Sequence, residues 1–233
     1  MNYSKKLVSV IMPCFNCEKT VAASIESILN QTYQNIEILI IDDGSKDNTY
    51  EILKKFQSKH KNIRLFKNQN NLGLTKSLNI LIEESKGEYI ARQDSDDISV
   101  IDRISLQYEF MEQKELDFCS SRATILYSGK KIPRSSHYLP KKIVMKFKNP
   151  FIHGTLFIKK SILLDVGKYN ENFYYAQDYK LMKTLIDNNY KFKIFRKPLY
   201  ELNMENNIST NKRSEQNYYA NCVKKNIIPE LKV

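Results

Sequence analysis

Four short β-branched runs, separated by stretches of helical periodicity, occupy the first hundred residues and leave few folds open to this chain. Leu7–Met12, Ile36–Ile41, Ile63–Phe66 and Glu88–Ala91 read as buried strands, the first of them stopped by Pro13. Between them, Glu18–Asn30 carries Val21, Ile25, Ile28 and Leu29 at helical spacing. Asp47-Asn48-Thr49 can cap a second helix with an apolar face of Ile52, Leu53 and Phe56, and Leu74–Glu84 forms a third. Strands alternating with helices of this length require crossover connections. The expected class is therefore α/β, with a mostly parallel central sheet flanked by helices.

In such sheets ligands gather at the carboxyl ends of the strands. Three strand ends here carry polar clusters: Pro13-Cys14-Phe15-Asn16-Cys17-Glu18, Asp42-Asp43-Gly44-Ser45 and Asp94-Ser95-Asp96-Asp97. Each alone could be a turn or a helix cap, because Asp and Ser favour both. Together they place five acids in two strand-end loops, which repel unless a cation sits among them. An Asp-x-Asp loop offers hard oxygen ligands to Mg²⁺ or Mn²⁺, ions held through one or two carboxylates plus substrate phosphates.

Composition narrows the reading further. Of the 233 residues 42% are hydrophobic and 27% charged, with 6 Gly and 6 Pro, which excludes collagenous, low-complexity and wholly disordered chains. No apolar run approaches a membrane span, and Met1–Lys6 leads straight into a strand without a signal-peptide core. The expectation is a soluble cytoplasmic protein of one domain over residues 1–233. The net charge of +11 falls wholly within residues 101–233. Lys130, Lys131, Arg134, Lys141, Lys142, Lys146 and Lys148 form a stretch without an acid, either a solvated face or a site of peripheral contact with an anionic membrane. No nucleic-acid-binding motif accompanies this charge, so no nucleic-acid partner is expected. Cys14-x-x-Cys17 lacks the second ligand pair that zinc needs and reads as incidental more than redox-active.

The ordered series of motifs resembles the family 2 glycosyltransferases, an inverting group with the GT-A fold. It runs through Val10-Ile11-Met12-Pro13, Asn16, Glu18, Gln31-Thr32-Tyr33, Asp42-Asp43-Gly44-Ser45, Asn71, Gly73, Asn79, Lys86-Gly87-Glu88, Arg92-Gln93-Asp94-Ser95-Asp96-Asp97, His153-Gly154-Thr155 and Gln177-Asp178. The match spans Val8 to about Ser209, and no Gly-x-Gly-x-x-Gly or P-loop motif competes with it. The resemblance implies a nucleotide-sugar-binding half over 1–100 and an acceptor-side half, with a mixed sheet, over 101–233.

The same resemblance implies roles. Pro13, Asn16 and Glu18 cradle the nucleoside; Asp42 accepts the uracil N3–H, with Asp43 and Ser45 supporting its loop; Asn71 and Gly73 line the nucleotide side. Asp94 and Asp96 hold Mn²⁺ or Mg²⁺, Arg92 lies beside the phosphates or sugar, and Ser95 and Asp97 belong to the donor side. Asp178 matches the catalytic base, although the acid common before it is Gln177 here. His153 is placed near phosphates, metal or acceptor; taken alone, a satisfied buried imidazole is an equal reading. The implied partners are a nucleotide-sugar donor, UDP-linked, and a saccharide or lipid-linked acceptor of bacterial surface-polysaccharide or lipopolysaccharide assembly. The absence of Gln-x-x-Arg-Trp and of any Trp favours single-sugar transfer. A non-catalytic sugar-nucleotide-binding module and a sugar-1-phosphate nucleotidyltransferase are the alternatives. The latter lacks its Gly-rich basic signature after the first strand.

Two further helices are expected at Lys141–Phe147 and Asp178–Asn188, strands at 117–127 and 154–158, a mobile loop at 203–217, and a terminal helix over about Ser214–Asn226.

Overall fold

The computed structural model describes residues 5–133, 139–204 and 212–230. The β-branched runs form β1 (Val8–Cys14), β2 (Ile36–Asp42), β3 (Ile63–Lys67) and β4 (Tyr89–Arg92), parallel in the order β3-β2-β1-β4. Every residue of β1, β2 and β4 is buried, which requires cover on both faces. Alternation along the strands sorts the side chains. Ile11, Leu39 and Ile41 enter one core with α3 (Leu74–Glu84), α7 (Gln177–Asp187) and α8 (Arg213–Lys225). Val10, Met12, Ile38 and Ile40 enter the other with α1 (Val21–Leu29), α2 (Thr49–Lys59) and α4 (Arg103–Lys114).

Beyond β4 the sheet becomes mixed. β8 (Phe157–Lys159) runs antiparallel between β4 and β6 (Phe118–Ile125), and β9 (Phe192–Leu202) lies parallel to β6. β5 (Ile98–Ser99) pairs with the outer side of β9, and β7 (Lys131–Ile132) with β6, giving nine strands among the described residues. The expected α/β architecture, parallel first and mixed after, is the one observed. The chain leaves β1 toward β2 and β3 and then crosses back to β4. That reversal opens a crevice above the carboxyl ends of β1 and β4.

Several local expectations are corrected. The strand expected over 154–158 is a 3-10 turn, His153–Thr155, followed by β8. The helix expected over Lys141–Phe147 is a single α-turn, α5 (Lys141–Val144), continued by 3-10-type bonds such as Lys146 N–H to Ile143 O. α8 begins at Arg213, so the loop expected at 203–217 is shorter; residues 205–211 of it, and Arg134 of the basic stretch, lie outside the described residues. α6 (Lys160–Asp165) was without a sequence signal of its own. No helix of the described residues is long and apolar enough to cross a membrane.

Candidate active site

The loops after β1 and β2 are stitched to one another. Asn16, in a left-handed conformation at φ +48°, donates its N–H to Ser45 Oγ at 3.0 Å and accepts the Lys46 N–H at 2.8 Å. Glu18 Oε2 accepts from the Asn48 N–H at 3.0 Å, while the Glu18 N–H donates to Asp47 Oδ2 at 3.1 Å. Asp43 donates its N–H to Cys14 O at 2.8 Å, tying the two strand ends behind buried Pro13. Gly44 sits at φ +73°, and a Cβ there would meet the Asn70 carbonyl carbon at 2.7 Å, so the turn needs glycine.

Asp42 and Asp43, neighbours in sequence, do different work. Asp43 has both oxygens engaged: Oδ1 accepts from Asn68 Nδ2 at 2.7 Å and the Leu72 N–H at 2.9 Å, and Oδ2 from the Gly73 N–H at 2.9 Å. It is a clamp that sets the start of α3, assisted by Asn71 Oδ1 on the same Gly73 N–H at 2.9 Å. Asp42 is fully buried, and its Oδ1 accepts the Ser45 N–H at 3.3 Å, but its Oδ2 has no partner among the described residues. Buried acceptors left unpaired are rare, and each calls for an explanation. The oxygen is sealed from solvent, so a ligand N–H reaches it only by displacing a covering group.

The loop after β4 concentrates charge. Arg92, buried, donates to the Gln93 carbonyl and to Asp94 Oδ1, while its Nε is unpartnered among the described residues. Asp94 is held from below, its N–H donating to Tyr200 Oη at 2.9 Å and its carbonyl accepting Ser24 Oγ at 2.7 Å. Gly154 abuts it: a Cβ there would lie 2.6 Å from Asp94 Oδ2. Burial, then repulsion by Asp94, pushes the Asp96 carboxyl up to about 6. Asp97 is raised for the same reasons, with Oδ1 accepting the Asn203 N–H at 2.7 Å. Hydrogen bonding, first from Cys14 and in part from Ser95, holds the Cys17 thiol below its ordinary value. Asp94 and Asp96 thus form an oxygen-rich, under-compensated pair suited to a hard divalent cation bound jointly with ligand phosphates. Among the described residues no group of three or more His, Cys, Asp or Glu could hold a metal unaided.

Across the crevice, Asp178 stands in the first turn of α7, after Ala176 turns the chain at φ +52°. Its Oδ2 accepts Asn149 Nδ2 at 2.7 Å. His153 Nε2 is hydrogen-bonded to Tyr169 Oη at 2.7 Å, and the fields of both Asp94 and Asp178 act on this pair. A model matching the description glycosyl transferase family 2 covers residues 9–201. The chain belongs to that family. A glucosyltransferase of Escherichia coli, named for UDP-Glc and GlcNAc-diphosphoundecaprenol, is 43% identical over 116 residues, 50% of this chain and 45% of its own length. The S. aureus TarS structure in complex with UDP-GlcNAc superposes with a TM-score of 0.75 at 21% identity, over 86% of this chain and 59% of TarS. A Pyrobaculum calidifontis mannosyltransferase holding GDP-Man and Mn²⁺ also gives 0.75, at 16% identity over 94% of this chain and 62% of its own. These two likenesses show the fold. The chain spans about half the length of many of the curated relatives it matches.

Two residues of this family 2 domain, Asn149 and Arg103, were beyond the reach of motif reading. Asn149, which donates to Asp178, follows directly on the basic stretch with nothing to mark it. Arg103 is wholly buried at the start of α4, donating to Gln93 Oε1 at 3.1 Å, Ser99 Oγ at 2.9 Å and Arg92 O at 2.8 Å, with its guanidinium 4.9 Å from the Tyr200 ring centroid. It braces the acidic loop from behind, and burial lowers its pKa to about 10. Phe15, 44% exposed at the end of β1, was within a highlighted loop but given no role; exposure of an aromatic there is its signal. Tyr174 lies against Gly73, where a Cβ would come within 2.7 Å of its ring.

Burial, and then Arg92, holds the His153 imidazole well below its ordinary value. At pH 7 it is neutral in both folded and unfolded chains. As pH falls below about 6.5, the unfolded chain takes up a proton that the folded one refuses, so this residue costs stability on the acid side only. Urea unfolding at pH 7 and pH 5 should show a smaller loss for His153→Gln than for the native chain. Equal losses would place the imidazole in a solvated setting.

Proposed function

We propose that the protein transfers one sugar from a nucleoside-diphosphate sugar, UDP-linked, to a hydroxyl of a saccharide or lipid-linked acceptor, inverting the anomeric carbon, in bacterial cell-surface polysaccharide or lipopolysaccharide assembly. The observation that carries this reading is the pairing of an under-compensated acidic loop, Asp94–Asp97, with a separately oriented carboxylate, Asp178, around His153 and Tyr169. Donor and acceptor chemistry need those two kinds of acid in different settings.

Asp94 and Asp96 would hold a divalent ion against the donor diphosphate, and such an ion supplies neutralisation of the charge that grows on the leaving group. The remaining work falls to the chain. The acceptor hydroxyl must lose its proton as it attacks, and Asp178 is an acceptor for it, its second oxygen fixed by Asn149. Arg92 positions Asp94, and Arg103 and Tyr200 brace the loop. Proton acceptor and departing diphosphate on opposite faces of the sugar give inversion without a covalent intermediate. Asn16, Glu18 and Ser45 shape the nucleoside end, Asp43, Asn71 and Gly73 its floor, and Phe15 offers an exposed ring for a base to stack upon.

The nucleoside assignment rests on Asp42 Oδ2, an acceptor that a uracil N3–H satisfies; the relative named for UDP-Glc supports it. In a thermal-shift panel, UDP-sugars should stabilise the protein more than GDP-sugars in the presence of Mn²⁺, and Asp42→Asn should narrow the gap. Equal shifts for the two nucleosides in the native chain would sink the assignment. Release of UDP with and without acceptors separates an enzyme from a binding module, which would show neither. Peripheral contact with an anionic membrane belongs to the same reading, since a relative is named for a diphosphoundecaprenol acceptor.

A further inference from the structure

The turn that carries the fixed partner of Asp178 also presents apolar side chains to the outside. Lys141–Val144 is one helical turn, extended to Lys148 by bonds such as Phe147 N–H to Val144 O at 2.9 Å. Val144 and Met145 anchor it in the protein. Ile143 and Phe147, four residues apart and hence on one side of the turn, are 55% and 69% exposed. Large apolar groups left in water in pairs, rimmed by charge, mark a surface that meets something.

Beside them lies a cleft of about 730 Å³ into which four lysines converge: Lys142 and Lys146 from the turn, Lys183 from α7 and Lys224 from α8. Among the described residues its only lining carboxylate is Asp187, which is paired with Lys183 at 2.6 Å. Three positive charges are therefore uncompensated within the cleft. Just past Lys224 the chain exposes a second apolar pair, Ile227 and Ile228, at 52% and 66%. Each of the two apolar pairs thus lies within a few residues of lysines that line one basic cleft.

We infer that this face docks on an anionic lipid bilayer, with Ile143, Phe147, Ile227 and Ile228 entering the headgroup–acyl boundary and the cleft lysines meeting lipid phosphates. Apolar insertion flanked by lysines is the arrangement that holds a protein in a membrane interface, the lysine stems lying along apolar surface while their ammonium groups reach phosphate. A protein partner would have to match three clustered positive charges together with the apolar pairs beside them; an anionic bilayer does so at every point. The inference sharpens the membrane contact within the proposed function and rests on it only for the identity of the acceptor. It also narrows the proposed contact within the basic stretch, because Lys130 and Lys131 belong to the β6–β7 hairpin and do not line the cleft.

The position has a chemical consequence. The docking turn and the residue that follows it are bonded to the first turn of α7 at two places: Tyr179 Oη donates to Met145 O, and Asn149 Nδ2 donates to Asp178 Oδ2 at 2.7 Å. Lys183 stands five residues after Asp178 on the same helix, about 7.5 Å along its axis. A glycan anchored in the bilayer would accordingly present its hydroxyl to Asp178 from the docked side.

The test is co-sedimentation of the full chain with vesicles of phosphatidylcholine alone or mixed equally with phosphatidylglycerol. Binding is expected only to the mixed vesicles, falling steeply as salt rises from about 0.1 M to about 1 M and the screening length drops from ~10 to ~3 Å. Ile143→Ser with Phe147→Ser should weaken it at least about tenfold. Lys142→Ala and Lys146→Ala should each weaken it about fivefold. All four positions are at the surface, and an unchanged melting temperature without nucleotide checks that each variant folds. Equal binding to uncharged vesicles, or wild-type binding by both the serine and the alanine variants, overturns the inference. The assay requires neither donor nor transfer, so its failure leaves the glycosyltransferase reading untouched, and loss of UDP binding would leave the docking face untouched.

Discussion

Replacing Asp178 by Asn is expected to lower sugar transfer about 10²–10⁴-fold while nucleotide and Mn²⁺ affinities stay near those of the native chain. The expectation follows from where the residue acts: a general base contributes only while the acceptor oxygen is losing its proton. Asn preserves the shape and can still engage the Asn149 amide through its oxygen, so the change removes basicity with little else. Loss of a negative charge from the first turn of α7 costs about 0.3–1 kcal/mol of stability, a small downward shift in melting temperature. Two results would count against the role. Full transfer by Asp178→Asn would send the search for the base elsewhere, and lost nucleotide binding would make the residue a structural element of the site. Asn149→Ala offers an independent check, because it frees the carboxylate without removing it and should lower kcat by less than Asp178→Asn does.

The second large effect is expected at the acidic loop. Asp94→Asn or Asp96→Asn should weaken Mn²⁺-dependent donor binding, read by titration calorimetry of UDP with and without the ion. Turnover should fall about 10²–10³-fold, the scale of several kcal/mol of lost charge stabilisation. Asp94→Asn also loosens Arg92, so its effect on stability should be the larger of the two. A chelator that left the native protein fully active would show that leaving-group charge is met by protein groups alone. Calorimetry adds a reading that activity cannot, since an ion held by both carboxylates and the diphosphate should be bound far more weakly without nucleotide.

The parallel half was legible because its strands are buried on both faces and so read as unbroken β-branched runs, with helices between them of clear periodicity. The strand-end rule for such sheets then located three polar loops, and the family resemblance supplied the roles proposed for them. The mixed half obeys no such pattern. β9 is half exposed and carries Lys193, Arg196, Lys197 and Pro198 within eleven residues, a composition that argues against a strand until its partner is known. That partner, β6, lies some seventy residues back and is shifted in register around Arg122, and β5 is two residues long with meaning only beside β9. His153–Thr155 looked like the start of a strand because Thr-Leu-Phe-Ile follows it; packing of Gly154 against Asp94 and Tyr200 bends it into a 3-10 turn instead. Asn149 and Arg103 share the same obscurity. Asn149 acts through one long-range hydrogen bond and Arg103 through a cluster of buried ones, and such bonds leave no periodic trace in a sequence.

The unpartnered oxygen of Asp42 bears on how selectivity is stored. A buried acceptor left unmade costs a folded chain about 1–3 kcal/mol, against a total stability of about 5–15 kcal/mol for an ordinary domain. The buried, unpartnered oxygen therefore weighs against stability, and under the proposed function it is the acceptor that a nucleoside N–H would meet. Under the proposed function, discrimination of this kind would precede encounter: a base without that donor would arrive at a site that cannot repay its buried acceptor. Selection for a sturdier protein would act first on this residue, and the gain in sturdiness would come at the expense of discernment.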